Sequence, residues 1–186
     1  MGGRVLTGDD AWIGDAQPYL RPRAAGAQDA WSSEAAERGR RGTQRLLAVE
    51  EVDPPEAVRA FLRLHQGEKA VVRRRLILLD DEPVELADSY YPARIARGTQ
   101  LAETGKIRGG AVTLLATMGF TPEAHPLEDV AAAIASSSQC SALALPPGTA
   151  VLVLTRFTRS EEGEPLEVSV MTMTRHLRYR QREEAN

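Results

Sequence analysis

The sequence predicts an α+β domain built on a largely antiparallel sheet. Three observations carry that expectation. Strand-like apolar runs neighbour one another through short turn clusters, helical segments are interspersed between them, and no repeat of fixed period appears. With 186 residues, 42% of them hydrophobic, the chain has the length of one ordinary domain and enough apolar material to enclose a core.

The elements follow in order. Residues 1–28 contain Gly2, Gly3, Gly8, Gly14, Pro18, Pro22 and Gly26 among mixed charges, without an apolar period, and read as an extended arm. Trp12, Ile13, Tyr19 and Leu20 are its sizeable apolar groups and could anchor it to the domain or to a partner. Asp29 or Ser32 can cap a short helix that reaches about Arg38 and stops at Gly39. Residues 43–51 read as a strand. Pro54-Pro55 opens a helix with Val58, Phe61 and Leu62 on one face, ending before Gly67. Residues 70–79 and 84–91 form a hairpin about the turn cluster Asp80-Asp81-Glu82-Pro83. A short helical piece follows Pro92, and residues 110–118 read as a buried helix. Residues 121–134 suit strand or helix equally. Residues 136–143 are helical and close at Pro146-Pro147-Gly148, after which strands over 150–158 and 165–174 flank a turn at residues 160–164. The segment from Arg175 is highly charged and expected to fray, with residues 183–186 as a charged tail.

Charge and composition narrow the function. The chain has 23 basic and 26 acidic residues, a net charge of −3, so it has no excess of positive charge with which to hold a polyanion. Cys140 is the single cysteine and cannot form an internal disulfide, and the three histidines are scattered. No apolar run approaches the roughly 20 residues that span a bilayer. The first residues lack the basic-then-apolar order of a signal peptide. A cytoplasmic protein without metal or cofactor, and without membrane contact, is expected.

Catalytic signatures are missing: there is no nucleophile elbow, phosphate-binding glycine loop after a strand, HExxH or cysteine pair. Residues 106–110 (Lys-Ile-Arg-Gly-Gly) form a basic glycine loop that could hold an anion on backbone N–H groups, or simply join loop to helix. Arg73-Arg74-Arg75 interrupts an apolar strand. Alternation places Arg73 and Arg75 with Val71, Ile77 and Leu79, and Arg74 with Val72, Leu76 and Leu78. At least one guanidinium must then lie over an apolar face, where it needs a carboxylate (Glu85 or Glu167) or a ligand. Glu167, Ser169, Met171 and Met173 share one face of a later strand, and Arg156 interrupts the strand before it, with Glu167 or Glu128 as partner.

Residues 75–84 (RLILLDDEPV), continuing through Ser89-Tyr90-Tyr91-Pro92, resemble the central hairpin of the UTRA domain, the effector-sensing module of the HutC branch of GntR-type bacterial transcription regulators. The leucine-rich helix around Leu114-Leu115, the segment 142–149, the strand 151–156 and Gly163-Glu164-Pro165-Leu166-Glu167 match in the same order. The resemblance covers residues 29–182. It implies a chorismate lyase-like fold, an antiparallel sheet with helices enclosing a small-molecule pocket, and a homodimer. It also implies that Trp31-Ser32 at the first helix, Arg75 and Glu167 hold an effector, expected to be anionic. Ser89, Tyr91, Arg108, Arg156 and Ser169 complete the expected ligand-binding set.

Two departures bear on the effector. Phosphosugar sensors of this family often have a second arginine where this chain has Ile77, and a glutamate where it has Ala87 followed by Asp88. A carboxylate or a larger, partly apolar ligand therefore fits at least as well as a phosphosugar. Residues 1–28 are too short and too rich in Gly and Pro for a winged helix-turn-helix, so DNA is expected to be reached only through a partner or a missing module. Two alternatives remain: a chorismate lyase-like enzyme using Arg75, Arg156 and Glu167, or a ligand-free dimerisation module.

Overall fold

The structure, a computed structural model, describes residues 17–24 and 28–174. Six strands form one antiparallel sheet: β1 (Gly42–Val52), β2 (Ala70–Leu79), β3 (Glu82–Pro92), β4 (Leu127–Ile134), β5 (Ala150–Arg159) and β6 (Pro165–Met173), in the spatial order β1-β2-β3-β6-β5-β4. The long β2–β3 hairpin and β6 occupy the centre, and β1 and β4 are the edges. This is the α+β antiparallel architecture expected. The segment left open between strand and helix, residues 121–134, contains β4.

The hairpin turns on two residues, Asp80 (φ 51) and Asp81 (φ 69), both left-handed. Such a turn suits the twist of the strands, and short polar side chains tolerate it. Asp80 Oδ2 accepts from Arg40 Nε at 2.7 Å, and Oδ1 accepts from the Arg41 amide at 2.8 Å, which fastens the turn to the start of β1. Glu82 and Pro83, expected in the turn, are already strand.

Helices cover both faces. Helix α1 (Gln17–Leu20) is a single turn, where an extended arm was expected; Leu20 is buried and Tyr19 Oη donates to Glu34 at 2.5 Å. Helix α2 (Ala30–Ala36) begins at Asp29, whose side chain accepts from the Ser32 amide. Its Trp31 and Ala35 pack on Ile77, Leu79 and Ala87. Helix α4 (Ala93–Ala96), a 3-10 turn (Gln100–Ala102) and helix α5 (Gly110–Thr117) close the other end of that sheet face over Val71 and Tyr91. On the opposite face α3 (Glu56–Phe61) packs with Val72, Tyr90 and Val168, and Cys140 of α6 (Ser137–Leu143) packs against Val151. Helix α5, expected to be buried, buries only Leu115 fully. Its one-sided burial is what a helix lying on a sheet requires.

Helix α2 approaches β1 very closely. A Cβ at Gly42 would stand 2.8 Å from Ala35 Cβ, Trp31 Nε1 and the Trp31 carbonyl. Ser32 Oγ donates to the Gly42 carbonyl at 3.0 Å at the same contact. Gly42→Ala is expected to push α2 off the sheet and lower stability by about 1–3 kcal/mol, an overpacking cost measurable as a reduced urea midpoint.

Candidate ligand site on the central strands

The strand register brings together residues far apart in sequence. Ser89 of β3 stands opposite Arg73 of β2 on one side and Ser169 of β6 on the other; Ala87 stands opposite Arg75. Side chains at every second position share a face. Arg75, Ser89, Tyr91, Glu167 and Ser169 therefore fall on the same side of the sheet, between the α2 and α5 ends.

These five side chains form one hydrogen-bonded row. Arg75 Nη2 donates to Ser89 Oγ at 2.8 Å, and Ser89 Oγ lies 2.8 Å from Ser169 Oγ. Ser169 Oγ donates to Glu167 Oε1 at 2.5 Å, and Tyr91 Oη donates to the same oxygen at 3.0 Å. Because the Ser169 proton goes to Glu167, Ser89 must donate to Ser169. The chain of donors thus runs from a guanidinium to a carboxylate. Ser89, Tyr91 and Ser169 are buried, while Arg75 and Glu167 are half-buried. Burial and the neighbouring Glu167 charge push the Tyr91 phenol far above its ordinary range, so it stays a donor at any working pH.

The row is incomplete at one end. Arg75 Nε is buried and has no hydrogen-bond partner among the described residues. A buried N–H of a charged group without an acceptor is costly, and an acceptor on a ligand would satisfy it. Beside it, Ile77 and Ala87 belong to the apolar cluster under Trp31. The two family departures noted above therefore give this end of the site an apolar wall.

The three arginines of β2 have separate tasks. Arg74, on the opposite face, pairs with Glu50 at 3.1 Å and Asp88 at 3.4 Å. Arg73 is buried, and contrary to expectation it meets neither a carboxylate nor a cavity ligand. Its Nη1 donates to the carbonyls of Gln100 (3.0 Å), Leu101 (3.1 Å) and Glu103 (2.6 Å), and its Nη2 to that of Gly105 (2.8 Å). The guanidinium is a clamp on the 3-10 turn and the loop that follows it. Burial first, and the charge of Arg75 as well, push its pKa below the usual arginine range, with Tyr91 opposing.

The remaining expected residues stand apart from this row. Trp31 is buried and its Nε1 donates to the Leu78 carbonyl at 2.9 Å. Ser32 holds the Gly42 carbonyl, and the carboxylate of Asp29 occupies the first turn of its helix. Burial acts to raise the Asp29 pKa, but the Ser32 amide and Lys106 outweigh it and hold the group below its ordinary value. Arg156 Nε donates to Glu128 at 2.7 Å, so one of the arginines a lyase reading would use is engaged by a carboxylate. Arg108 is exposed and, with Glu103, Lys106, Thr113 and Thr117, lines a cleft of about 350 Å³ beside α5. None of the five residues of the row lines that cleft. The Arg73 clamp, which sequence reasoning missed, connects the two places: the Gln100, Glu103 and Gly105 it grips also line the cleft.

The chain belongs to the UTRA domain family, whose model matches residues 37–180. It is 29% identical over 139 residues to an uncharacterized HTH-type transcriptional regulator of Streptomyces coelicolor, covering 73% of this chain and 51% of that protein. The chain therefore spans about half the length of this curated relative. In structure it is similar to the effector domain of PhnF from Mycobacterium smegmatis, with a TM-score of 0.71, 16% identity, and coverage of 88% of this chain and 99% of that one. It is also similar to a GntR-family transcriptional regulator from Enterococcus faecalis, with a TM-score of 0.64, 19% identity, and coverage of 75% and 100%. Among the described residues no helix is long and apolar enough to cross a membrane.

Proposed function

We propose that this chain senses a small anionic effector and passes its occupancy to transcription in the manner of a HutC-type GntR regulator. The observation that carries the reading is the row from Arg75 to Glu167, with its buried Arg75 Nε unpartnered among the described residues. One end offers a guanidinium to an anionic group, and the other offers a carboxylate to hydroxyls or an amine. Ile77 and Ala87 favour a ligand with an apolar portion over a bare phosphosugar. The chain acts as a homodimer in the cytoplasm, and its contact with DNA is made by a DNA-binding module elsewhere in a longer protein or in a partner. Ligand preference for one arrangement of the dimer would shift its population, which is how a sensor without catalysis transmits a signal.

A thermal-shift screen of the chain against sugar phosphates, organic acids and apolar carboxylates tests the reading. A ligand present at 100 times its Kd is expected to add about 2.7 kcal/mol of stability. A folded chain that no anionic compound stabilises would sink it, and stabilisation by chorismate accompanied by pyruvate release would replace it with the lyase.

A further inference from the structure

We propose that the effector is a zwitterion with an apolar body, and that Glu34 of α2 receives its amine while Arg75 receives its anionic group. This deepens the sensor reading above and rests on it. Among the described residues, four buried side-chain atoms have no hydrogen-bond partner: Arg23 Nε, Glu34 Oε1, Arg75 Nε and Arg159 Nη1. Arg159 lies on the other face of the sheet, its guanidinium 4.4 Å from the centre of the Phe61 ring. The other three gather about α2. Arg75 is on the strand the helix covers, Glu34 is on the helix itself, and Arg23 is tied to it through Nη2, which donates to Ser33 Oγ at 2.8 Å.

The turn of the helix aims Glu34 inward. Residues two apart on a helix differ by about 200°, so Glu34 stands on the opposite flank from Ser32. Ser32 holds the Gly42 carbonyl of β1, the edge of the sheet, and the other flank therefore faces β3 and β6. Tyr19 shares that flank: its side chain packs on the cluster of Trp31, Ile77 and Ala87, and its Oη donates to Glu34 Oε2 at 2.5 Å. Ala87 is the cross-strand neighbour of Arg75, and Met171, opposite Ala87 on β6, packs on the same cluster. Glu34 Oε1 and Arg75 Nε thus border one apolar wall, the first from the helix and the second from the sheet.

The two atoms need opposite things. A carboxylate oxygen shut away from water needs a donor, and a guanidinium N–H needs an acceptor. Arg38 Nη1 is 3.7 Å from Glu34 Oε1, too far for a hydrogen bond, and its side chain is 37% exposed against 12% for Glu34. Glu167, the carboxylate of the row, already accepts from Ser169 and Tyr91 on Oε1. An ammonium group on the ligand serves Glu34, a carboxylate on the ligand serves Arg75, and an apolar body covers Ile77 and Ala87. Such a molecule adds no net charge to a site that takes it out of water. A bare anion would satisfy Arg75 alone and leave Glu34 Oε1 without a donor. An aliphatic or aromatic amino acid is the simplest member of this class.

Isothermal titration of the whole chain with matched pairs tests the assignment. L-leucine, L-phenylalanine and 5-aminopentanoate are each compared with the same acid lacking its amine: 4-methylpentanoate, 3-phenylpropanoate and pentanoate. At least one amine-bearing acid is expected to bind about 10- to 100-fold tighter than its twin, the worth of a hydrogen bond between charged groups. Glu34→Gln keeps an acceptor for Tyr19 and is expected to erase that difference while the twin binds as before. Far-UV circular dichroism checks the fold. Glu34→Asp, which draws the charge back by one methylene, gives a second reading if Glu34→Gln does not fold, and the comparison of twins on the unaltered chain needs no variant. Twins that bind equally overturn the proposal, as does a preference for the amine that survives in folded Glu34→Gln. A chain that binds amine-free anions and none of the three amino acids overturns it too, and leaves the sensor reading standing. A chain that binds no anion of any kind overturns both.

Discussion

Replacing Arg75 with alanine is expected to cut the thermal shift given by an anionic effector by about half or more while leaving the unliganded chain folded. Arg75 is half-buried, and the described hydrogen bond it makes is to Ser89. Its removal leaves Ser89 still bonded to Ser169. A hydrogen bond to a charged group contributes about 1.5–3 kcal/mol, so affinity should fall about 10- to 100-fold. Isothermal titration with the first effector identified measures the loss. Arg75→Lys restores the charge without the planar fork and should recover only part of it. Unchanged affinity in a folded Arg75→Ala protein would move the site elsewhere, with the Arg108 cleft the next place to look.

Arg73→Met should give the opposite pattern, a large loss of stability. The variant keeps the apolar stem and removes the group that serves four carbonyls of residues 100–105. Leaving several half-buried acceptors unserved costs about 3 kcal/mol. For a chain of this size that lowers the Tm by about 6–12 °C. Proteolysis would be expected to begin in the released loop. A Tm within a degree or so of the unaltered protein would mean that water replaces the guanidinium at little cost.

The contrast between these two arginines shows where sequence reasoning reaches its limit. Alternation was enough to put Arg73 and Arg75 on one face, and to put Glu167 and Ser169 on one face of another strand. The row then needed only a register, which the two-residue turn at Asp80-Asp81 and the pairing of Ser89 with Ser169 supply. The acceptors of Arg73 had no such signature. They are backbone carbonyls of a loop some 30 residues downstream, and any sequence presents carbonyls. Edge strand β4 was ambiguous for a related reason. Open to solvent on much of its surface, it has neither the alternation of a half-buried strand nor the 3.6-residue period of a helix. Residues 110–118 misled in the other direction, because a largely apolar composition does not say which side of α5 meets the sheet. The expectations for residues 1–16 and for the tail from Arg175 lie outside the described residues.

The spacing of Arg73 and Arg75 has a consequence for how the loop at 100–105 behaves. The charge of Arg75 opposes that of Arg73, two residues away on the same side of one strand. An anion seated against Arg75 would lessen that repulsion and let the neighbouring guanidinium hold its carbonyls more firmly. The loop would then stiffen on filling of a site it does not touch, making its amide protons a gauge of occupancy read at a distance.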